Sequence, residues 1–377
     1  MSQPDFFEAF ENLKNRNQPF VFYSLPGSKQ VHCYYQEDNQ LHTTQDLKNK
    51  GFVMSRFDVP LPAVYIPNEH HLEFSRPEEI KGKATPPAKD QLGDKKPFIN
   101  LVNRTKEAIE NGSLNKLVVA RKIHKKFAVD PLKLFENLLY LYPNALVYYW
   151  HHPKAENWIG ASPEQLFSYK SGRFTTMALA GTLPYNTKEN YHWGKKEKQE
   201  QAWVRDTLKT GLNEIFSPSS VKCSETFTHR AGNLVHLCNA LTVETQEIDL
   251  VDLVKKLHPT PAVGGIPLKE GLSFLSKNEN LDRAYYAGFF GPIGGVDDVD
   301  LYVNLRCGSI SEAGLFLYTG AGITQDSDAE KEWEETNFKA NTLKPKITKL
   351  EDGLERLSFA NGDEFIGLTL SAIITLS

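Results

Sequence analysis

Short apolar segments, which outnumber the helical patterns between them, constrain the fold of this chain more than any other feature. Strand-like runs occur at 116–121, 145–150, 157–167, 173–183, 234–244, 301–306 and 315–318. Apolar residues with helical spacing occur at 98–110, 130–141, 197–216 and 250–257. A turn at 312–314 predicts a hairpin between the last two strand-like runs. Many strands between well-spaced helices predict an α+β fold, with large antiparallel β-sheets sandwiched by helices.

The predicted segments divide the chain into three regions. Residues 1–96 hold short strand-like runs and end in a stretch rich in Lys, Pro and Asp, which predicts a linker and a boundary near Pro97. We expect this amino-terminal extension to add strands to the same sheet assembly. Residues 97–345 contain every candidate for chemistry. Residues 346–377 end in an apolar run too short to cross a bilayer, and an added strand is the simplest role for this tail.

The composition argues against several classes of function. Apolar residues make up 40% of the chain, charged residues make up 24%, and the net charge is -4, so there is no basic excess to attract nucleic acid or an anionic membrane. The four cysteines lack paired spacing, which argues against a cysteine zinc site or a disulfide framework. The chain shows no secretion signal and no membrane-length apolar run. We therefore expect a cytoplasmic protein with a small-molecule substrate and no nucleic-acid or membrane partner.

The stretch from Gly320 to Lys339 is the strongest candidate for chemistry. An apolar run enters a predicted glycine turn, Gly320 to Gly322, whose backbone amides are expected to bind an anion. The predicted helix that follows has Glu332 and Glu335 on one face, a spacing that suits a hard cation such as Mg2+. Acidic helix faces are more often simply solvated, and at this point that alternative stays open.

Other side chains are candidates of the same kind. Glu197 and Glu200 repeat the acidic spacing on a second predicted helix, so two acidic pairs could meet across one metal ion. Lys116 opens an otherwise apolar strand and is a candidate general base if its face is interior; the alternative is a lysine whose amine reaches water. Glu164 follows a glycine at a predicted turn and is a candidate general acid, or an exposed turn carboxylate.

Two further side chains have positions that suit ligand binding. Arg306 ends a predicted strand and could clamp a carboxylate through two parallel hydrogen bonds, the alternative being a surface ion pair. His236 lies between apolar neighbours, where a histidine is more often a satisfied core residue than a catalyst.

Taken in order, these segments resemble the chorismate-utilising enzymes, and the resemblance covers roughly residues 98–345. The matching motifs are Lys116-Leu-Val-Val-Ala-Arg121, Gly160-Ala-Ser-Pro-Glu164, Leu179-Ala-Gly-Thr182, Lys196-Glu-Lys-Gln-Glu200, His236-Leu237, Leu257-His-Pro-Thr-Pro-Ala262, Asp282-Arg283, Tyr286-Ala-Gly288, Arg306-Cys307 and Gly320 to Lys339. The family's fold, two large antiparallel sheets flanked by helices, agrees with the order of predicted elements. The nearest branch of the family is the one that makes isochorismate.

The resemblance implies a Mg2+-dependent isomerisation of chorismate, in which water adds at C2 while the C4 hydroxyl leaves. Lys116 matches the family's general base and Glu164 its general acid. The matching metal positions are Glu200 and Glu335, with Glu332 and Glu197 beside them. The positions that match substrate-binding groups are Thr182, His236, Ala262, Arg306, Gly320, Gly322 and Lys339.

The same residues separate branches of the family. Lys116 and Ala262 resemble the members that use water rather than ammonia. Salicylate synthases, which go on to eliminate pyruvate, stay an alternative, as does an inactive relative that only binds a ligand. The chain departs from the family pattern at Gln201 and at Asn239, which leaves substrate positioning there open. The resemblance does not separate menaquinone from siderophore biosynthesis; menaquinone is the commoner housekeeping use, and a monomer is expected.

Overall fold

A computed structural model describes residues 5–77, 94–126, 129–186, 191–231, 234–340, 343, 346–348, 354–358 and 364–368. The helices are α1 (Phe6–Asn15), α2 (Lys95–Glu110), α3 (Pro131–Leu141), α4 (Lys195–Ile215), α5 (Leu250–Leu257), α6 (Leu268–Asn278) and α7 (Ala329–Ala340). The strands of the first half are β1 (Phe20–Ser24), β2 (Gln30–Tyr35), β3 (His42–Thr44), β4 (Gly51–Met54), β5 (Ala63–Pro67), β6 (His70–Ser75), β7 (Lys116–Lys125), β8 (Leu146–His151), β9 (Asn157–Ser162), β10 (Gln165–Lys170) and β11 (Arg173–Pro184). The strands of the second half are β12 (Lys222–Cys223), β13 (Phe227–Ala231), β14 (Leu234–Glu244), β15 (Gly265–Ile266), β16 (Phe289–Gly295), β17 (Asp298–Val303), β18 (Cys307–Ser311), β19 (Gly314–Ile323), β20 (Lys346–Thr348), β21 (Leu354–Ser358) and β22 (Glu364–Leu368).

Two large sheets organise the fold. One has nine strands in the order β15-β7-β19-β18-β9-β8-β1-β2-β6. The other has ten, along the path β12-β14-β11-β10-β17-β16-β4-β5-β3 with β13 beside β14. Neighbouring strands run antiparallel, as β7 does to β19 and β11 to β14, while α3 packs on the first sheet and α4 on the second. The predicted α+β fold with large antiparallel sheets is therefore confirmed.

Alternation along β1 shows how the nine-stranded sheet is covered on both faces. Phe20 and Phe22 belong to the apolar cluster under α1 and α3, whereas Val21 and Tyr23 belong to the larger cluster shared with the ten-stranded sheet. The Tyr23 ring lies 4.9 Å from that of Phe52 in β4. Because successive side chains of a strand point to opposite faces, a strand covered on both sides is apolar at nearly every position.

Side-chain caps start several of the helices. Asp130 accepts hydrogen bonds from the backbone N–H groups of Leu132 and Lys133, and Pro131 occupies the first turn of α3. Asp328 accepts from the N–H of Lys331 and so caps α7, the helix that brings the acidic residues to the site.

Two of the points at which the chain passes between the two sheets are adjacent to one another. Pro163 and Glu164 connect β9 of the nine-stranded sheet to β10 of the ten-stranded sheet, and the segment before Arg306 leads back from β17 to β18. The crossovers are tied together, because the N–H of Val303 donates to the carbonyl of Glu164 at 2.9 Å. The single strand predicted over 157–167 is therefore wrong, since the chain changes sheets within it.

The predicted hairpin is also wrong in one of its strands. The turn at 312–313 joins β18 to β19, with Ser311 opposite Gly314. The predicted partner, 301–306, instead contains the end of β17 in the other sheet. Arg306 has a left-handed backbone, with φ of 48°, and this sharp change of direction between β17 and β18 is invisible to apolar periodicity.

The amino-terminal region contributes strands to both large sheets: β1, β2 and β6 to one, and β3, β4 and β5 to the other. The division into regions 1–96, 97–345 and 346–377 stays a prediction, and 78–93, most of the predicted linker, lies outside the described residues. In the tail, β20, β21 and β22 form a separate three-stranded sheet. Among the described helices, none is both long and apolar enough to cross a membrane.

Candidate active site

Both large sheets and two helices line one cavity, of about 210 Å³. The strands β7 and β19 come from one sheet, β11 and β14 from the other, and α4 and α7 close the sides. The predicted residues that line it are Lys116, Glu164, Glu197, Glu200, His236, Ala262, Arg306, Gly320, Gly322, Glu332, Glu335 and Lys339. Thr182 lies in β11, but its side chain is outside the described part of the structure. Residues spread over more than two hundred positions of sequence thus share one cavity.

Lys116 opens β7 with a buried side chain, only 2% exposed. The alternative of a lysine reaching bulk water is therefore wrong. Its Nζ lies 2.7 Å from Oε1 of Glu200, which comes from α4. Gly322 leaves room for this pair, because a Cβ there would lie 3.2 Å from Cε of Lys116 and 3.3 Å from the Glu200 oxygen. The ion pair links the two sides of the cavity.

Glu164 reaches the cavity from the first crossover. Burial raises the pKa of its carboxyl to about 7, although Lys116, Lys339 and Arg306 act in the opposite direction. The hydroxyl of Thr260 lies 3.5 Å from Oε1. A carboxyl with a pKa close to neutral can hold a proton and release it at ordinary pH, which is what a general acid requires. The alternative of a fully exposed turn carboxylate does not hold, because Glu164 is partly buried in the cavity wall.

Arg306 reaches the cavity from the second crossover, where its left-handed backbone turns the chain. Burial lowers the pKa of its guanidinium. His236 lies on β14 and its Nδ1 donates to the carbonyl of Gly181 at 2.9 Å. Burial, with Arg306 close by, lowers the pKa of His236 to about 4, so the imidazole is neutral at pH 7. His236 therefore lines the cavity as a neutral polar group.

The glycines predicted as a turn lie in β19 instead. Gly320 pairs with Ala120 and Gly322 with Val118, and the turn comes later, at 324–328. The N–H of Ala120 donates to Glu279 on the far side of β7, so the Ala120 and Gly320 pair is not one joined by ladder hydrogen bonds. The backbone groups of Gly320 consequently face away from β7, and its carbonyl accepts a hydrogen bond from Nζ of Lys339. Both glycines line the cavity, but as residues of β19 and not of a turn.

Lys339 and Glu335 lie one turn apart on α7. Nζ of Lys339 is 2.6 Å from Oε1 of Glu335 and 3.1 Å from the carbonyl of Gly320. Glu332 is buried, and its Oε1 accepts a hydrogen bond from the Ser327 hydroxyl at 2.8 Å. The solvated-face alternative is therefore wrong for Glu332.

Arg121 fixes α7 against β7, and the sequence offered no sign of this role. Its guanidinium lies 3.7 Å from the Trp333 ring centre, and it donates to the side chains of Thr336 and Asn337. Burial lowers the pKa of Arg121 to about 9. One buried arginine thereby positions the helix that brings Glu335 to the cavity.

A buried ion pair holds the other edge of β7. Arg283 contacts Glu279 at 2.6 Å and donates to the carbonyls of Val118 and Val263, while Glu279 accepts from the N–H of Ala120. Arg283 stands in one of the motifs that carry the family resemblance, but no local pattern indicated its pairing with Glu279, because α6 ends at Asn278. It fixes the loop that contains Ala262 against the strand that begins at Lys116.

The two departures from the family pattern contact one another. The Gln201 amide donates to Oδ1 of Asn239, and Nδ2 of Asn239 donates to the carbonyl of Ser224 at 2.7 Å. Both side chains are buried. The contact joins α4 to β14 directly behind Glu200, so these residues form a satisfied polar link.

The carboxylates of the cavity are oxygen ligands, which suit Mg2+. Glu200 and Glu335 each accept a lysine N–H, at 2.7 and 2.6 Å. The cavity carboxylates do not form a closed cluster. Among the described residues, the one group of three His, Cys, Asp or Glu side chains with ligand atoms within 4.8 Å of one another is His32, His71 and Glu73, which lies elsewhere in the fold. The donor set thus fits an ion held by a few carboxylates together with water and substrate oxygens, which is how Mg2+ is usually bound.

Comparison with known proteins gives a consistent family. The family model described as "Chorismate binding enzyme" matches residues 65–348. Anthranilate synthase component 1 of Aquifex aeolicus is 29% identical over 272 residues, which are 69% of this chain and 55% of that protein. The salicylate biosynthesis isochorismate synthase of Pseudomonas aeruginosa is 27% identical over 265 residues, 68% of this chain and 55% of that protein. The chain therefore spans little more than half the length of these two relatives.

The fold has relatives among solved structures. MenF, the menaquinone-specific isochorismate synthase of Escherichia coli, superposes with a TM-score of 0.70 at 21% identity, covering 86% of this chain and 87% of that chain. At this identity the likeness concerns the fold, and it agrees with the architecture of two large antiparallel sheets.

Proposed function

Because this chain belongs to the chorismate binding enzymes, we propose that it is an isochorismate synthase, an isomerase that converts chorismate to isochorismate. The observation that supports this most directly is a buried lysine amine, Lys116, in the same cavity as Glu164, a carboxyl with a pKa of about 7. A site with a base on one wall and a protonated acid on another suits a reaction that takes a proton from water and gives one to a leaving hydroxyl.

In the proposed reaction, water adds at C2 of the substrate ring while the C4 hydroxyl leaves. Lys116, acting as the neutral amine, accepts a proton from the attacking water, and Glu164 donates its proton to the C4 oxygen, which departs as water. One water enters and one leaves, so the product is an isomer of the substrate. Hydroxide is a poor leaving group, which is why a carboxyl protonated near neutral pH is required at that position.

The substrate has two carboxylates, and the cavity offers cationic groups to hold them. We assign this role to Arg306 and Lys339, together with the backbone amides of Gly320 and Gly322, two residues of β19 that line the cavity. The neutral imidazole of His236, with Thr182 and Ala262, would line the ring pocket.

Mg2+ would be held by Glu200 and Glu335, with Glu332 and Glu197 beside them, since all four carboxylates line the cavity. When bound, the ion supplies positive charge for a substrate carboxylate that is otherwise surrounded by acidic side chains. Removing divalent ions with a chelator is expected to stop turnover, and Mg2+ to restore it.

The test is to incubate the purified chain with chorismate and Mg2+ and to separate the products. We expect isochorismate, no pyruvate, and no anthranilate when ammonium is added. Substantial pyruvate without an added lyase would identify a salicylate synthase, and anthranilate would identify an ammonia user; either result overturns the proposal.

The Lys116→Ala variant tests the mechanism and separates an enzyme from an inactive binder. We expect it to reduce turnover by about 10²-fold or more while chorismate still binds by calorimetry. Lys122→Ala is the matched control, because Lys122 is an exposed lysine in the same strand, and its turnover should equal that of the wild type. Equal turnover in Lys116→Ala and wild type would contradict the assigned base.

For the use of the product, we propose menaquinone biosynthesis, the commoner housekeeping use of isochorismate, with siderophore biosynthesis as the alternative. Disrupting the gene should deplete cellular menaquinone. Unchanged menaquinone together with a loss of catecholate siderophore would favour the alternative.

A further inference from the structure

A second group of potential ligands lies at the edge of the nine-stranded sheet, outside the cavity. His32 lies on β2, and His71 and Glu73 lie on the edge strand β6. His32 is directly opposite Glu73 in the register, and His71 is two residues from Glu73, so the three side chains share one face. Their ligand atoms all lie within 4.8 Å of one another.

Two of the three distances within this group match those between ligands of a single metal ion. Nδ1 of His32 is 3.1 Å from Nε2 of His71 and 3.6 Å from Oε2 of Glu73. Two ligand atoms on a tetrahedral Zn2+, each about 2.1 Å from the ion, are separated by about 3.4 Å. The two measured separations bracket this value.

A neighbouring side chain orients one of the three ligands. The Gln30 amide donates to Oε1 of Glu73, which directs Oε2 towards His32. Outer contacts of this kind orient the ligands of protein metal sites.

The group is also open to solvent, which a metal ion needs in order to enter. His71 and Glu73 are exposed, whereas Leu72 and Phe74, on the other face of β6, pack against the apolar cluster under α1 and α3. Two imidazoles and one carboxylate form a mixed ligand set that Zn2+ accepts, whereas Mg2+ prefers oxygen ligands alone.

We propose that His32, His71 and Glu73 form a binding site for one transition-metal dication, best suited to Zn2+, with the fourth position open to water. The ion would join the edge strand β6 to β2 and so stabilise this edge of the sheet. The site is separate from the carboxylates proposed to hold Mg2+, and the proposal does not depend on the proposed reaction.

The test uses the full chain without a histidine tag, freed of metal by a chelator and titrated with Zn2+ in excess Mg2+, so that the cavity carboxylates are occupied. We expect one Zn2+ per chain in this titration. His71→Ala and Glu73→Gln should each weaken Zn2+ binding by about 100-fold, and Gln30→Ala by about tenfold. The melting temperature should rise with Zn2+ in the wild type but not in His71→Ala.

His70→Ala is the matched control. His70 is the neighbour of His71, but it points to the opposite face and stacks on Tyr35 with ring centres 4.9 Å apart. This variant should bind Zn2+ as the wild type does. Two results would overturn the proposal: absence of Zn2+ binding by the wild type in excess Mg2+, or unchanged affinity in both His71→Ala and Glu73→Gln. Two ligand variants are used so that one misfolded protein does not leave the question undecided.

Discussion

Replacing Glu164 by glutamine is expected to make the protein more stable above neutral pH while it removes activity. Burial raises the pKa of this carboxyl from 4.5 to about 7 in the folded chain. A difference of this size corresponds to about 3 kcal/mol of folding free energy, at about 1.4 kcal/mol per pKa unit. The folded wild type bears this cost when the carboxylate is charged, and a neutral amide of the same shape does not.

The direction in which stability changes with pH follows from proton binding. Between pH 4.5 and about 7 the folded state holds a proton on Glu164 that the unfolded state has released, so raising the pH through this window destabilises the wild type. We therefore expect Glu164→Gln to gain stability relative to the wild type as the pH rises. The difference between their free energies of unfolding should increase by about 3 kcal/mol between pH 4 and pH 8. Urea denaturation at closely spaced pH values measures this difference directly.

Glu312→Gln is the matched control, because Glu312 is exposed in the turn between β18 and β19 and does not line the cavity. A difference for Glu164→Gln that does not change with pH would refute the reasoning, since it would mean that burial does not hold a proton on this carboxyl. Turnover should fall by about 10²-fold or more in Glu164→Gln. In the wild type kcat/KM should decline above pH 7, as the acid loses its proton.

Two further substitutions test the substrate clamp and the support of α7. Arg306→Lys keeps the charge but loses the planar pair of donors, so we expect kcat/KM to fall about 10- to 100-fold, mainly through KM; steady-state kinetics measure this, and an unchanged KM would exclude a clamp. Arg121→Met removes the hydrogen bonds to Thr336 and Asn337 and should lower the free energy of unfolding by about 2 kcal/mol, measured in urea; no change would mean that α7 is fixed by other contacts.

Local chemistry made much of this molecule predictable from its sequence. Apolar spacing over 130–141 predicted a helix, and α3 runs from Pro131 to Leu141. Capping and alternation depend on near neighbours in the chain, so the sequence alone contains them. The types of the site residues are local information too, and acids, lysines and glycines at these spacings predicted a site for an acidic ligand.

Only the tertiary structure decided how those residues meet. Lys116 and Glu200 are remote in sequence, and their 2.7 Å contact exists because β7 and α4 lie on opposite sides of one cavity. Glu164 and Arg306 reach that cavity because the chain changes sheets beside each of them, which no periodicity records. The segment predicted as a glycine turn is a strand, because Gly320 pairs with Ala120 in β7. Pairings of this kind are set by how whole sheets pack, and the energy of packing is shared among residues that no local pattern connects.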